Sequence, residues 1–95
     1  MKELNTELTT EDLAGICKAL SHPTRVKILQ HLKRISECVC GEIVDIFPLS
    51  QSTISQHLKH LRNSGLVKGE VNGPSTCYCI DHEVLEKFKK YVSSL

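Results

Sequence analysis

The stretch LSQSTISQHLKHLRNSGL, Leu49 to Leu66, decides how this chain folds. Ser50 stands where a hydroxyl can accept from the first free backbone N–H groups of a helix, and Gly65 stands where a helix can end in the left-handed region. Between them Ile54, Leu58 and Leu61 recur at helical spacing, which predicts a helix from Gln51 to about Asn63 with one apolar stripe. Gln51, Ser52, Ser55, Gln56, Lys59 and Arg62 then share the outer face. Amides and short hydroxyl side chains in the first turns suit base edges, while lysine and arginine further along suit phosphates. A solvated helix face is the plain alternative, so the flanking sequence has to decide.

Upstream, Thr9-Thr10-Glu11-Asp12 is a helix start, with Thr9 as cap and acids at the positive end. Leu13, Ile16, Cys17 and Leu20 follow as an apolar stripe. Ser21-His22-Pro23-Thr24 starts a second helix, capped by Ser21 with proline in its first turn. Val26, Ile28, Leu29, Leu32 and Ile35 carry it to about Ile35. A short apolar stretch, Ile43, Val44, Ile46 and Phe47, is stopped by Pro48 and reads as a brief third helix. Downstream the period changes. Val67–Val71 and Thr76–Ile80 flank Asn72-Gly73-Pro74-Ser75, a hairpin signal, and a last helix runs from about His82 to Val92 with Val84, Leu85, Phe88 and Val92 inward.

The expected fold is therefore mainly α with a β-hairpin: a winged helix-turn-helix in the order α-α-α-α-β-β-α. With a tight turn before it and a hairpin behind it, the Gln51–Asn63 face reads as a DNA-reading surface. Thr53 and Lys68 join that set. His57 sits between faces, and a packing role and a DNA contact both remain open. The hairpin tip carries no Arg or Lys, so the wing adds little charge.

Composition bounds the rest. The chain has 95 residues, 40% of them apolar and 24% charged, which suits one folded domain over 1–95 with a flexible segment at 1–8. Aromatics are only 4%, so the core is aliphatic and small, and a second copy is a reasonable source of extra stability. The opening residues lack the apolar run of a signal peptide and nothing is long enough to span a bilayer, so the expectation is a cytoplasmic protein with no membrane partner. A net charge of +1 does not announce DNA binding, and any basic surface must be local. The sequence sets apart no phosphate loop, nucleophile elbow or paired-carboxylate site, so an enzyme is not expected.

Four segments together resemble the ArsR/SmtB family of metal- and metalloid-responsive repressors: ALSHPTRVKIL (Ala19–Leu29), ECVC (Glu37–Cys40), the Leu49–Leu66 stretch, and the hairpin ending in Tyr78-Cys79-Ile80. The resemblance covers roughly Leu13 to Ile80. It implies a winged-helix homodimer, packed through its first and last helices, on a palindromic or imperfectly repeated operator. An inducing ion or molecule then releases it.

In members of that family that sense soft ions, the cysteines of an E-x-C-V-C-type box are ligands; here they fall on Cys38 and Cys40. Thiolates favour As(III), Sb(III), Cd(II), Pb(II) or Zn(II), with As(III) the foremost inducer candidate. On a regular helix residues two apart diverge by about 200°, so chelation by Cys38 and Cys40 needs a non-helical segment. The third cysteine of the arsenic-type box is absent, since that position is Ile43. Cys17 is a candidate third sulfur, although its stripe position reads as a buried core thiol. Cys77 and Cys79 share one face of a strand and form a further candidate pair, expected on the more exposed face opposite Tyr78 and Ile80. The family's Asp/His/Glu site on the last helix is rejected because the required second histidine is missing.

Two other readings stay open: a repressor of the same fold triggered by oxidation or persulfidation of a cysteine pair, and a soft-metal protein with no DNA role. A cytosolic setting disfavours structural disulfides, which favours metal or redox use of the thiols.

Overall fold

The computed structural model describes residues 7–35, 38–39, 47–72 and 75–95. Those residues form α1 (Thr10–Ala19), α2 (Pro23–Ile35), α3 (Gln51–Asn63), β1 (Val67–Asn72), β2 (Ser75–Ile80) and α4 (His82–Ser93). The order matches a winged helix-turn-helix: helices first, then an antiparallel hairpin, then a closing helix. The short helix expected at Ile43–Phe47 lies outside the described residues except for Phe47, which opens a bend running through Leu49.

Local chemistry explains each boundary. Thr9 and Asp12 form a reciprocal capping box, each side chain accepting the other's backbone N–H at 3.0 Å. The Thr9 backbone N–H, and after it the Thr9 hydroxyl, favour the ionised carboxylate and hold the Asp12 carboxyl below its usual range. At the start of α2 the cap differs from the expectation. Ser21 instead donates to the carbonyl of Lys18 at 2.6 Å, and His22 Nδ1 accepts from the backbone N–H of Thr24 at 3.1 Å. Proline at the first helical position has no N–H to offer, so the ring nitrogen one residue earlier serves the next free donor. Ser50 caps α3 by accepting from Thr53 N at 3.2 Å, and Asp81 caps α4 by accepting from Val84 N at 3.2 Å. Gly65, at φ 90°, provides the left-handed turn between α3 and β1.

One aliphatic core joins all these elements. Ile16 and Ala19 of α1, Ile28 and Leu32 of α2, and Ile54, Leu58 and Leu61 of α3 pack with Leu66, Val67, Ile80, Leu85 and Val39. Phe47, Tyr78 and Phe88 are only partly buried against it, so the aromatics edge the core and do not fill it. Two details depart from the sequence pattern. Cys17 is exposed, because Ile16 and Ala19 already supply the buried edge of α1. Val92 is exposed as well, at the last turn of α4, beyond the reach of the core.

β1 and β2 pair from Val67↔Ile80 to Asn72↔Ser75. The backbone N–H of Asp81 donates to the carbonyl of Leu66 at 2.9 Å and closes the base of the hairpin. On the far edge of β2, Val39 and Tyr78 exchange both backbone hydrogen bonds at 2.8 Å. The chain ahead of α3 is thereby tied to the wing strand.

Candidate functional site

α3 presents the outer face that its sequence predicts. Gln51, Ser52, Ser55, Gln56, Lys59 and Arg62 are exposed, and so is Lys68 on β1. Ser50, Gln51, Ser52, Ser55, Gln56 and Lys59 line one open, shallow concavity along the first turns. Amide and hydroxyl groups therefore gather at the N-terminal end, where a groove-entering helix meets base edges, and cations lie further along and on the adjoining strand. Thr53 stands apart from this row. It is half-buried, and its hydroxyl accepts from Ser50 Oγ at 2.9 Å, so it belongs to the helix cap.

His57 faces inward, only 8% exposed. Of the two roles open to it, the geometry favours packing. Arg25 Nε donates to His57 Nδ1 at 3.2 Å, and the His22 ring lies 4.5 Å away, tilted by 50°. Accepting at Nδ1 leaves the imidazole proton on Nε2 and the ring neutral. Burial is the main cause holding the His57 pKa below its ordinary value, with the neighbouring charges of His22, Arg25 and His60 acting in the same direction. Arg25 also reaches the carbonyl of Ala19 at 3.4 Å. One guanidinium thus joins the C-terminal end of α1 to α3. Arg25 directly follows His22-Pro23-Thr24 at the mouth of α2, and that position is the one sequence signal for its role.

The thiols assemble differently from the expectation. Cys38 is exposed and bonded to Cys79, with Cα atoms 4.3 Å apart. Cys40, the expected co-ligand, lies outside the described residues. The pairing follows from strand register. Val39 and Tyr78 form the hydrogen-bonded pair of an antiparallel bridge, so their neighbours Cys38 and Cys79 fall in the closer, non-hydrogen-bonded relation. Cys77 is buried and is also disulfide-bonded, which corrects the expectation of two exposed thiols on β2. Both faces of β2 are in use: the expected packed side holds Tyr78 and Ile80, and on the other Cys77 is buried and Cys79 half-buried. Cys17 stands alone on α1 as a free thiol. Among the described residues no three ligand-type side chains converge on one point. Of the cysteines expected as ligands, Cys38 and Cys79 are thus a linked pair, and the C-x-C spacing does not reveal that their pairing runs between segments.

A path of contacts joins the cysteine pair to α3. A methyl group added at Gly69 would meet Arg62 Cδ at 3.0 Å and Tyr78 Cε1 at 3.3 Å. The Arg62 side chain and the Tyr78 ring therefore both lie against the same point of β1, and Tyr78 is the residue bonded to Val39.

Comparison with known proteins agrees with this architecture. The family profile described as bacterial regulatory protein, arsR family, matches residues 22–68. The arsenical resistance operon repressor of Staphylococcus xylosus is 35% identical over 79 residues, which is 83% of this chain and 75% of that protein. A cadmium resistance transcriptional regulatory protein, a CadC homolog from Staphylococcus aureus, is 41% identical over 73 residues, covering 76% of this chain and 60% of the relative. Among solved structures, an ArsR-like transcriptional regulator from Rhodococcus sp. RHA1 superposes with a TM-score of 0.74 at 28% identity, over 88% of this chain and 78% of that one.

Proposed function

Because the chain belongs to the ArsR family of bacterial regulatory proteins, a family of transcriptional regulators and not of enzymes, we propose that it is a dimeric repressor released from its operator by a thiophilic ion. The observation that supports the DNA end is the exposed row on α3 with Lys68 on β1 beside it; in this reading Gln51, Ser52, Ser55 and Gln56 meet base edges and Lys59, Arg62 and Lys68 meet phosphates. Two copies packed through α1 and α4 set their α3 helices into successive major grooves about 34 Å apart, on an inverted-repeat operator in the cytoplasm.

Cys38, with Cys40, is the proposed ion-binding element. Cys38 is exposed and non-helical, beside Val39 in its bridge to Tyr78, which is what chelation asks of this residue. The arsenical and cadmium resistance regulators among its relatives support a soft ion as inducer, with As(III), Cd(II) and Zn(II) the ions to compare. The ion draws thiolate ligands away from the wing edge. That movement changes the path into α3, so the two recognition helices no longer match their half-sites. Operator affinity measured with each ion, in wild type and in Cys38→Ser/Cys40→Ser, tests the reading. Wild type is expected to lose affinity and the double variant to keep it; an intact response in the double variant contradicts the assignment. A trigger by oxidation alone is the second reading, and the Cys38–Cys79 bond is the observation in its favour.

A further inference from the structure

We propose that Cys38 and Cys79 form a cross-strand oxidation site whose reactant is a hydroperoxide, and that the disulfide withholds Cys38 from the thiophilic ion. The inference rests on the reading of Cys38 as an ion ligand and adds a condition to it: only the reduced chain responds.

The backbone carries the argument. Val39 and Tyr78 hold each other through two 2.8 Å hydrogen bonds that do not involve sulfur. Antiparallel strands in that register bring the flanking Cα atoms to about 4.5 Å. Cys38 and Cys79 stand at 4.3 Å, close to that spacing. The two thiols are therefore opposed by strand pairing, whichever oxidation state they are in. Their environments differ. Cys38 is exposed and open to a small oxidant, whereas Cys79 is half-buried. This makes Cys38 the attacking thiol and Cys79 the resolving one.

The chemistry balances with hydrogen peroxide. The Cys38 thiolate attacks one peroxide oxygen, the O–O bond breaks, and the products are a sulfenic acid on Cys38 and a hydroxide that takes up a proton to become water. The Cys79 sulfur then attacks the Cys38 sulfur. The S–O bond breaks, the S–S bond forms, and a second water leaves with the Cys79 proton. The two sulfurs together lose two electrons and the two peroxide oxygens gain them. A dithiol reductant reverses the change by thiol–disulfide exchange.

A sulfur held in a disulfide is no thiolate, and only the thiolate is a strong ligand for a soft ion. Since the Val39–Tyr78 register is made by backbone bonds, the oxidised chain keeps the arrangement of α3 and wing. Oxidation therefore changes the response to the ion and leaves the affinity for operator in place.

The test uses the full chain, reduced and then treated with stoichiometric hydrogen peroxide, as wild type, Cys79→Ser and Cys77→Ser. Peptide mapping by mass spectrometry is expected to find Cys38 joined to Cys79 in wild type and in Cys77→Ser, and not in Cys79→Ser. Cd(II) binding, followed by sulfur-to-cadmium absorption, is expected to weaken by about ten-fold or more on oxidation of wild type and to return with dithiothreitol. Operator affinity without ion is expected to stay within about two-fold. Cys38 joined to another cysteine, undiminished Cd(II) binding after oxidation, or release of operator by peroxide alone would each overturn the proposal. Reduced protein that binds Cd(II) yet keeps its operator contradicts the ion-release reading instead, and the cross-link and its effect on Cd(II) binding still stand in that case.

Discussion

His57 shows how a single residue on a helix with an exposed polar face can work inward. Native burial disfavours its imidazolium, so the unfolded chain binds that proton more readily than the folded one. The contribution to stability is full above the ordinary histidine value of 6.5 and is lost as pH falls below it. Melting temperature followed from pH 7 down to pH 5 is expected to drop less steeply in His57→Gln, which keeps an acceptor for Arg25 and removes the titration; an unchanged slope contradicts the assignment. Arg25→Ala leaves His57 Nδ1 without its donor and the end of α1 without its guanidinium, and is expected to cost about 1–2 kcal/mol by denaturant unfolding. At this scale the sequence was only partly legible. His57 lies on the border of the apolar stripe, where spacing alone does not separate an inward ring from an outward one. Cys38 and Cys79 are 41 positions apart, and only the strand register that aligns Val39 with Tyr78 makes them partners.

Elements were far more legible than their side chains. The Gln51–Asn63 helix begins and ends where its cap and glycine place it, and its stripe of Ile54, Leu58 and Leu61 is the one that is buried. Caps and apolar spacing are local properties, so at α3 they survive folding unchanged, whereas at α2 the cap passes from Ser21 to His22. Ser50→Ala removes the acceptor for Thr53 N and is expected to cost about 1 kcal/mol. For a domain of this size that corresponds to a fall of about 4–8 °C in Tm. Gly65→Ala places a Cβ at φ 90° while meeting Val84 Cγ1 at an ordinary 3.8 Å, so its cost of about 1–2 kcal/mol is conformational. Little change in either variant would place the stability of α3 elsewhere. Cys17 marks the limit of such reasoning: it follows Ile16 on the helix by about 100°, and neighbouring elements, not spacing, decided that it faces outward.

For the whole molecule, the fold followed from element order, while the link between wing and upstream segment did not. That link is long-range pairing at a strand edge, which no local pattern records. Net charge is similarly silent, because it averages a cationic face over the entire chain. If Lys59, Arg62 and Lys68 of each protomer neutralise phosphates, the logarithm of operator affinity is expected to fall against the logarithm of salt concentration with a slope of about −5. A slope near zero would remove these residues from the interface. The account turns most directly on one measurement: fluorescence anisotropy of the reduced wild-type chain on a duplex selected from a random pool, before and after As(III), Cd(II) or Zn(II). It predicts tight, salt-sensitive binding that at least one of these ions weakens by about ten-fold or more. Failure to enrich any duplex, or an affinity that none of the three ions alters, would contradict it.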